Sequence, residues 1–238
     1  MTPLKWAVAT FTVIPVGEFR PDRRVAGAAM ALAPLAVLPL AAAVAAMTLL
    51  PFPPMVLAVL IVAALALGTR AMHLDAVADV ADALGGGWTP RRAVEILHRG
   101  DMGPMGAVAL VLCLMAQVAA LVHILPLAPP AVGAAVVASR CAVVITCLRG
   151  VRPMPTSRLG VLVAGSVHPV PAVAVLAAGT GLLALVNPWA VVVAFIAWLT
   201  VAGLVALTVR RFGGVNGDVM GAGIELAFTV LLVGWTVL

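Results

Sequence analysis

The sequence predicts an all-α, polytopic membrane protein: a bundle of about six or seven transmembrane helices with active-site loops on the cytoplasmic side. Of its 238 residues, 64% are hydrophobic and only 10% are charged, and the mean hydropathy is +1.20. Several apolar runs reach about 18 residues, enough to cross a hydrocarbon core of about 30 Å. A water-soluble chain of this length would need more charge to cover its surface, so soluble folds are excluded.

The predicted spans are joined by short turns on one side of the membrane and by longer charged segments on the other. The spans are 27–50, 53–70, 104–125, 131–148, 170–187, 188–209 and 219–238, or six spans if one of them is re-entrant. The turns contain proline and no charge, as tight connections between antiparallel helices do; they are 51–53, 126–130 and 187–188.

Charged residues cluster in the remaining segments, with Arg140 and Glu225 as exceptions inside spans. These segments are 1–26, 70–103, 149–169 and 210–218. The positive-inside rule assigns them to the cytoplasm, so we expect an inner-membrane protein with a cytoplasmic active site. The whole chain, 1–238, is predicted to be a single integral membrane domain. It includes a cytoplasmic or interfacial N-terminal segment and an acidic, glycine-rich segment at 70–103.

Three aspartates mark the stretch "MHLDAVADVADALGGGW", residues 72–88. If the helix of span 53–70 continues to about Leu84, Asp75, Asp79 and Asp82 share an arc of about 60° on one face. A solvated helix face is one interpretation, but such faces usually mix bases with acids. Carboxylates without neighbouring bases favour a hard divalent cation, and Mg²⁺ commonly completes its shell with substrate phosphates. A phosphate substrate is therefore expected.

Glycines and arginines follow the acidic stretch. Gly85 and Gly86 permit close approach of backbone N–H groups to an anion, or simply end the helix. The next segment, "TPRRAVEIL", is typical of a helix capped by a threonine and begun by a proline. Its Arg91 and Arg92 are candidates either for phosphate binding or for anchoring to lipid headgroups.

Two further loops carry candidate residues. "HRGDMGPMG" contains Arg99 and Asp101, and an isolated aspartate there could also cap the following helix. "RRFGGVNGDVMGAGIEL" combines Arg211, glycines, an asparagine and an aspartate with Glu225 inside an apolar helix. An ionisable side chain within a span is costly and usually has a partner or a function, which applies to Glu225 and to Arg140.

Taken together, these strings resemble the cobalamin synthase family, adenosylcobinamide-GDP ribazoletransferase. The family pattern HLDGLADxxDGLGG is similar to "HLDAVADVADALGG", and its GGxTGDxxGAxxEL is similar to "GGVNGDVMGAGIEL". Its SR pair and later RP and GLG-like loop resemble Ser139–Arg140 and "VRPMPTSRLG". The matches run in order from about residue 10 to 230.

The resemblance implies an enzyme that transfers the adenosylcobinamide-phosphate moiety of adenosylcobinamide-GDP to α-ribazole, or to its 5′-phosphate, and releases GMP. Mg²⁺ is the expected cofactor. Membrane lipids are expected partners, nucleic acid is not, and a homo-oligomer is left open. Two departures from the family pattern stand out. The loop "LHRGDMG" displaces an aspartate by two positions to Asp101, and Asn216 replaces a threonine.

Roles follow from this resemblance and from the residue chemistry. The predicted metal ligands are Asp75, Asp79, Asp82 and Asp218. The predicted catalytic residues are His73, Asp82, Asp101, Arg140 and Glu225, with His73 open as a ligand, a general base or a helix-surface residue. The predicted substrate-binding residues are Gly85, Gly86, Arg91, Arg92, Arg99, Arg152, Arg211, Gly213, Gly214 and Asn216.

Two other functions compete with this interpretation. A CDP-alcohol phosphatidyltransferase-like enzyme would also hold metal with aspartates at helix ends, but its usual DGxxAR segment is missing after Asp75. An ion-coupled transporter would place acids at mid-membrane depth in several broken helices. Here the acids gather at one face with glycine-rich loops, which favours chemistry at the membrane surface.

Overall fold

Most of the protein is helical. A computed structural model describes residues 2–18 and 20–238, so Met1 and Phe19 of the predicted N-terminal segment lie outside it. Within those residues no β-strand forms, and only two isolated bridges pair extended backbone. In chain order the helices are α1 (Pro3–Phe11), α2 (Arg23–Ala31), α3 (Ala33–Ala36), α4 (Leu38–Met47), α5 (Pro54–Gly68), α6 (Met72–Gly86), α7 (Pro90–Leu97), α8 (Pro104–Leu127), α9 (Pro129–Cys141), α10 (Val143–Thr146), α11 (Arg158–Val163), α12 (Pro169–Ala184), α13 (Ala190–Phe212) and α14 (Gly217–Trp235).

Four helical segments are long and apolar enough to cross a membrane: α8, α9 continued through α10, α13 and α14. A fifth is added if α5 and α6 count as one bent segment. Helices α4 and α12 are apolar but shorter, with 10 and 16 residues. The predicted all-α fold is thus confirmed, while helix length and composition give four or five candidate membrane spans among the described residues.

The predicted span 27–50 is divided into three helices rather than one continuous helix. Breaks fall at Leu32 and Val37, between α2, α3 and α4. Pro34 and Pro39 stand in the first turns of α3 and α4. Proline has no N–H to donate to the preceding turn, and its ring crowds the carbonyl four residues back. The chain therefore restarts its helix after each break.

The expectation that the helix of span 53–70 continues to Leu84 is wrong. Helices α5 and α6 meet at 88°. Arg70 and Ala71 adopt positive φ angles of 56° and 55°. The Ala71 N–H bonds Ala66 O at 2.7 Å and the Arg70 N–H bonds Leu67 O at 3.2 Å, which is the Schellman pattern that ends a helix. The three aspartates still lie on one continuous helix, but the axis of that helix is nearly perpendicular to the axis of α5.

Helix α6 is central to the fold because it packs against both α14 and α8. A Cβ added at Gly221 of α14 would lie 2.8 Å from Ala76 Cβ on α6, so the missing side chain permits the close crossing. Small residues at crossings are common between membrane helices, where packing drives association. This crossing brings the N-terminal ends of α6 and α14, and hence their carboxylates, to the same end of the bundle.

Candidate active site

A pocket of about 210 Å³ opens between α1, α6, α11 and α14. His73 and Asp75 of α6 line it together with Asp218, which lies in the first turn of α14. The remaining lining is mostly apolar, including Phe11 and Ile224. Residues 143 positions apart in the chain thereby meet in one place, as the sequence-based site required. We call this space the carboxylate pocket.

Asp79 lies one turn along α6 from Asp75 and is half-buried. Burial, and then the negative charges of Asp75, Asp218 and Asp82, raise the pKa of Asp79 to about 6. Those charges act on Asp79 because the four aspartates lie in one region of the molecule, and like charges disfavour ionisation. Among the residues the structure describes, however, no group of three or more His, Cys, Asp or Glu side chains forms a ready-made metal site.

Asp82 has a different environment from its two neighbours on the helix. Its side chain is buried, at 7% exposure. One carboxylate oxygen accepts the N–H of Gly103 at 2.6 Å and the other accepts the N–H of Gly106 at 2.8 Å. Asp82 thereby satisfies two free donors at the start of α8, where a carboxylate also complements the helix dipole. Its two oxygens already serve this structural contact, which the sequence-based assignment to the metal did not anticipate.

A buried polar cluster lies beneath the carboxylate pocket, between α6, α8, α9 and α14. Gln117 Nε2 donates to Glu225 Oε2 at 2.8 Å, and His73 Nδ1 lies 3.8 Å from Glu225 Oε1. Arg140, with 1% exposure, donates to Ser139 Oγ at 2.8 Å and also to the Val136 carbonyl. The structure thus brings His73, Arg140 and Glu225 into one region, and the two charged residues have opposite sign, which lowers the cost of burying them.

His73 is a neutral imidazole in this setting. Burial, and then the positive charge of Arg140, lower the pKa of His73 to about 3. Its contact with Glu225 at 3.8 Å is therefore not an ion pair at neutral pH. A base with so low a pKa accepts protons weakly, which favours a carboxylate over His73 as the proton acceptor in this pocket.

A second pocket, of about 350 Å³, lies at the other end of α6, against α7 and the start of α8. Its charged lining residues are Asp82, Arg92, Arg99 and Asp101, and Gly85, Gly86 and Gly103 form part of its wall. Six of the predicted substrate-binding or catalytic residues therefore do converge, but away from the carboxylate pocket. We call this space the basic pocket.

Two other arginines are placed differently from the sequence-based expectation. The Arg91 side chain is 91% exposed and lies 3.2 Å from Glu95 on the same helix, outside both pockets. Arg211 donates to the carbonyl oxygens of Leu84 at 3.2 Å and Gly87 at 2.9 Å. It thereby satisfies carbonyls at the C-terminal end of α6, a common position for a basic side chain.

The loop before α14 is fixed by short-range geometry. Gly213 has a φ of +81°, the left-handed conformation that favours glycine after a helix. A Cβ at Gly214 would overlap the backbone of Pro153, because Val215 pairs with Arg152 and Met154 through backbone bonds of 2.9 and 2.8 Å. Arg152 itself is exposed beside this loop.

Asn216 caps α14 by accepting the N–H of Val219 at 3.0 Å, and it also donates to Asp218 Oδ2. The amide thus performs the capping that the hydroxyl of a threonine would perform, since both side chains accept from the backbone at a helix start. Its second bond holds the Asp218 carboxylate at the edge of the carboxylate pocket. The replacement of threonine by asparagine at this position therefore keeps the cap of α14.

The sequence analysis did not predict a role for Gln117. It also did not predict that the N–H groups of Gly103 and Gly106 donate to Asp82. Gln117 is a single amide in an otherwise apolar helix, and such residues usually bond a partner across a membrane interface. That signal was available in the sequence. The role of Gly103 and Gly106 was not, because it depends on where α8 starts relative to α6.

Comparison with known proteins places the chain in a family. The family model described as cobalamin-5-phosphate synthase matches residues 3–236. An adenosylcobinamide-GDP ribazoletransferase of Nocardioides sp. is 42% identical, over 97% of this chain and 96% of the relative. A protein of the same name from Frankia casuarinae is 35% identical, over 100% and 96%.

A third protein of that name, from Rhizobium meliloti, is 36% identical over 74% of this chain and 71% of the relative. No solved structure matches the chain. The family match covers nearly the whole chain, including every aspartate and glycine of the two pockets. The chain therefore belongs to the cobalamin-5-phosphate synthase family.

Proposed function

We propose that the chain transfers the adenosylcobinamide-phosphate moiety of adenosylcobinamide-GDP to α-ribazole or α-ribazole 5′-phosphate, releases GMP and forms adenosylcobalamin or its 5′-phosphate. The observation that carries this proposal is the meeting of Asp75 and Asp218 in one pocket, with Asp79 beside them. The relatives described above carry the name of this activity. A diphosphate donor suits a site built from carboxylates when a divalent cation lies between the two negative partners.

Mg²⁺ fits the carboxylate oxygens at this pocket. It is usually bound by one or two carboxylates, several waters and substrate phosphates, so a site with no complete set of three protein ligands agrees with its chemistry. One or two of Asp75, Asp79 and Asp218 would hold it directly, and water would fill the other positions. Asp82 is left out of this set because both its oxygens accept backbone N–H groups. When bound, the cation would offset the negative charge that accumulates on the diphosphate.

In the reaction, the 3′-hydroxyl of the acceptor attacks the phosphorus bonded to cobinamide. A new P–O bond to the ribazole forms, and the P–O bond to the phosphate of GMP breaks. A carboxylate of this group that does not contact the cation would take the hydroxyl proton in preference to His73, whose pKa is lowered to about 3. Arg140 and Glu225 lie buried behind His73, and their charges would fix the orientation of the His73 ring in the wall of the pocket.

The remaining predicted roles belong to the same proposal. Arg92, Arg99, Gly85, Gly86 and Asp101 would contact substrate in the basic pocket. Gly213, Gly214 and Asn216 would shape the loop that presents Asp218, with Arg152 exposed at its edge. Arg91 and Arg211 line neither pocket, so they would affect substrate binding only through their positive charge.

We further propose that the two pockets face the cytoplasm and that the chain crosses the inner membrane six or seven times. Arginines concentrate in the loops at this end, which supports a cytoplasmic location by the positive-inside rule. Apolar helices shorter than a full span, such as α4 and α12, would cross the membrane together with the residues on either side of them. Membrane lipids would then contact the exposed apolar faces.

The experiment that tests the activity uses the full chain in phosphatidylcholine nanodiscs with adenosylcobinamide-GDP, α-ribazole and a Mg²⁺ titration. We expect equal amounts of GMP and corrinoid product, both abolished by a chelator and restored by Mg²⁺. Absence of product from folded protein with either acceptor would overturn the activity. Product formed at full rate in the chelator would overturn the cofactor assignment alone.

A further inference from the structure

Gln117 is a buried amide with no part in the proposed reaction. It lies in the apolar helix α8, and only 2% of its surface is exposed. Its Nε2 donates to Glu225 Oε2 on α14 at 2.8 Å and to Thr229 Oγ1 on the same helix at 3.1 Å. A buried carboxylate needs such donors, because an unpaired one carries the full cost of leaving water. The bond therefore holds the Glu225 side chain in one orientation.

The carboxylate of Glu225 has one hydrogen-bond donor among the residues the structure describes, and that donor is Gln117. Arg140 has the opposite charge, but its hydrogen bonds go to Ser139 and to a backbone carbonyl. With Oε2 bonded to Gln117, the other oxygen, Oε1, lies 3.8 Å from His73 Nδ1. That gap exceeds a hydrogen bond, and a shift of less than about 1 Å in either side chain closes it. Gln117 thus determines which oxygen of Glu225 is left for His73.

The two ring nitrogens of His73 have different surroundings. Nδ1 is fully buried and has no hydrogen-bond partner within bonding distance. Nε2 lies on the other side of the ring, toward the carboxylate pocket that His73 lines. A Cβ at Gly221, which lines the same pocket, would lie 3.5 Å from Cδ2, the ring carbon bonded to Nε2. Nδ1 therefore faces the protein interior, and Nε2 faces the pocket.

The position of Glu225 determines which ring nitrogen carries the proton. A neutral imidazole has one N–H and one lone pair, and the hydrogen bond at one nitrogen fixes the role of the other. A proton on Nε2 would leave the Nδ1 lone pair against a carboxylate oxygen, two acceptors with no donor between them. A proton on Nδ1 satisfies both atoms in one bond, as carboxylates do for histidines in metal sites and catalytic triads. The surroundings of the ring thus favour Nδ1–H and leave a lone pair on Nε2.

We propose that Gln117 is a positioning residue for the carboxylate pocket. It holds Glu225 where Glu225 accepts the Nδ1–H of His73, and the lone pair on Nε2 then accepts a hydrogen bond from an O–H group in the pocket. That group is either a water molecule or a ribose hydroxyl other than the attacking one, whose proton goes to a carboxylate. This inference rests on the proposed function for the ribose alone, and it extends the site from the pocket through α14 to α8.

The test records ¹⁵N spectra of the full chain, labelled at its four histidines, in phosphatidylcholine nanodiscs. Protonated and unprotonated ring nitrogens give separate signals, and His73→Gln identifies those of His73. Gln117→Met removes the amide at similar length. Gln117→Asn keeps an amide that is one methylene too short for Glu225, and it takes the place of the first variant if that one fails to fold.

Thr180→Val is the matched control. It removes a hydrogen bond of 3.1 Å that Trp198 Nε1 donates from α13 to α12, and neither residue lines the carboxylate pocket. The change therefore breaks one side-chain bond between two apolar helices without touching Gln117, Glu225 or His73. Steady-state rates with adenosylcobinamide-GDP and α-ribazole are measured on the same samples.

In the wild-type chain we expect His73 to carry its proton on Nδ1. Both Gln117 variants should lose much of that signal and gain one for protonated Nε2. Their kcat should fall by about ten-fold while the KM for α-ribazole stays within about two-fold, as when the partner of a site residue is removed. Thr180→Val should keep the wild-type tautomer and kcat. A wild-type proton on Nε2, unchanged tautomers in both Gln117 variants, or an equal change in Thr180→Val would each overturn the inference.

Adding α-ribazole without the donor distinguishes the two O–H groups. A change in the signal of unprotonated Nε2 identifies a ribose hydroxyl as its partner, and an unchanged signal identifies water. Both results keep the lone pair of Nε2 in the pocket, whereas a proton that moves to Nε2 when α-ribazole binds would contradict its role as an acceptor.

The spectra also separate this inference from the proposed activity, because they need neither Mg²⁺ nor turnover. If the wild-type chain forms no product but its Nδ1–H signal is lost in the Gln117 variants, the activity fails and the positioning of His73 stands. If product forms but the Gln117 variants keep the wild-type tautomer, the positioning fails and the activity stands.

Discussion

Two positions one turn apart in α6 carry the same residue type in different surroundings. Asp79, in the middle of the helix, is half-buried among negative neighbours, and its pKa is raised to about 6. One turn later, Asp82 is buried and accepts two backbone N–H groups from the start of α8. The first carboxylate lacks positive partners and is suited to a cation, whereas the second already has its donors. Spacing on a helix therefore shows which side chains share a face but not which of them share a function.

The largest expected effect is on turnover when Asp79 is changed. Asp79→Asn keeps the shape but removes a charge from the proposed cation site, and we expect turnover to fall by about 100-fold or more, corresponding to about 3 kcal/mol in the transition state. Initial rates of GMP release at saturating Mg²⁺ measure this. Activity above about a third of the wild-type value would remove Asp79 from the ligand set.

The Asp82 contact can be tested from its partner side with Gly106→Ala. A Cβ at Gly106 would overlap the Asp82 carboxylate, and the displacement should cost about 1–3 kcal/mol of stability. We expect a Tm lower by several degrees in detergent. Gly181→Ala is the control, since a Cβ there meets no atom within 4 Å in the described structure. An unchanged Tm for Gly106→Ala would mean that α8 can shift away from α6 at little cost.

A smaller effect concerns pH. Because the pKa of Asp79 is raised from 3.8 to about 6, the group is mostly protonated at pH 5.5 and mostly ionised at pH 7.5. A cation must displace that proton, so Mg²⁺ binding should be about four-fold weaker at the lower pH. Calorimetric titration at the two pH values measures this. Asp79→Asn should lose most of the difference, and a wild-type affinity independent of pH would contradict the raised pKa.

The smallest effect is expected outside both pockets. Glu95 is exposed on α7, and hydrogen bonds from Arg92 and then Arg91 hold its pKa below the usual value. Solvent screens such pairs, so Glu95→Gln should leave Tm and turnover within experimental error of the wild type. A clear loss of activity would indicate that the pair positions Arg92 within the basic pocket.

Much of the fold follows from the sequence because lipid imposes simple rules. The predicted spans 104–125, 188–209 and 219–238 overlap α8, α13 and α14 almost completely, since a long apolar run must form a helix to satisfy its backbone. The bend after α5 was missed because its left-handed position is occupied by Arg70 rather than by glycine, the residue that usually signals such an end.

The candidate site was predictable in composition but not in arrangement. Charge clustering and the resemblance together selected Asp75, Asp79 and Asp218, and the fold brings two of these into one pocket. The division into a carboxylate pocket and a basic pocket could not be predicted, because it depends on how α7 and α8 pack against the far end of α6. Tertiary contacts of this kind leave no periodic signal in the sequence.

The most direct test of the division along α6 is a Mg²⁺ titration of Asp82→Asn beside Asp79→Asn. The asparagine at 82 offers one acceptor oxygen for two N–H donors, so Tm should fall by several degrees. Its residual turnover should still reach half its maximum at a Mg²⁺ concentration within about two-fold of the wild type. For Asp79→Asn that concentration should rise by about ten-fold or more. A parallel rise in both variants would show that Asp82 shares the cation and would contradict the account.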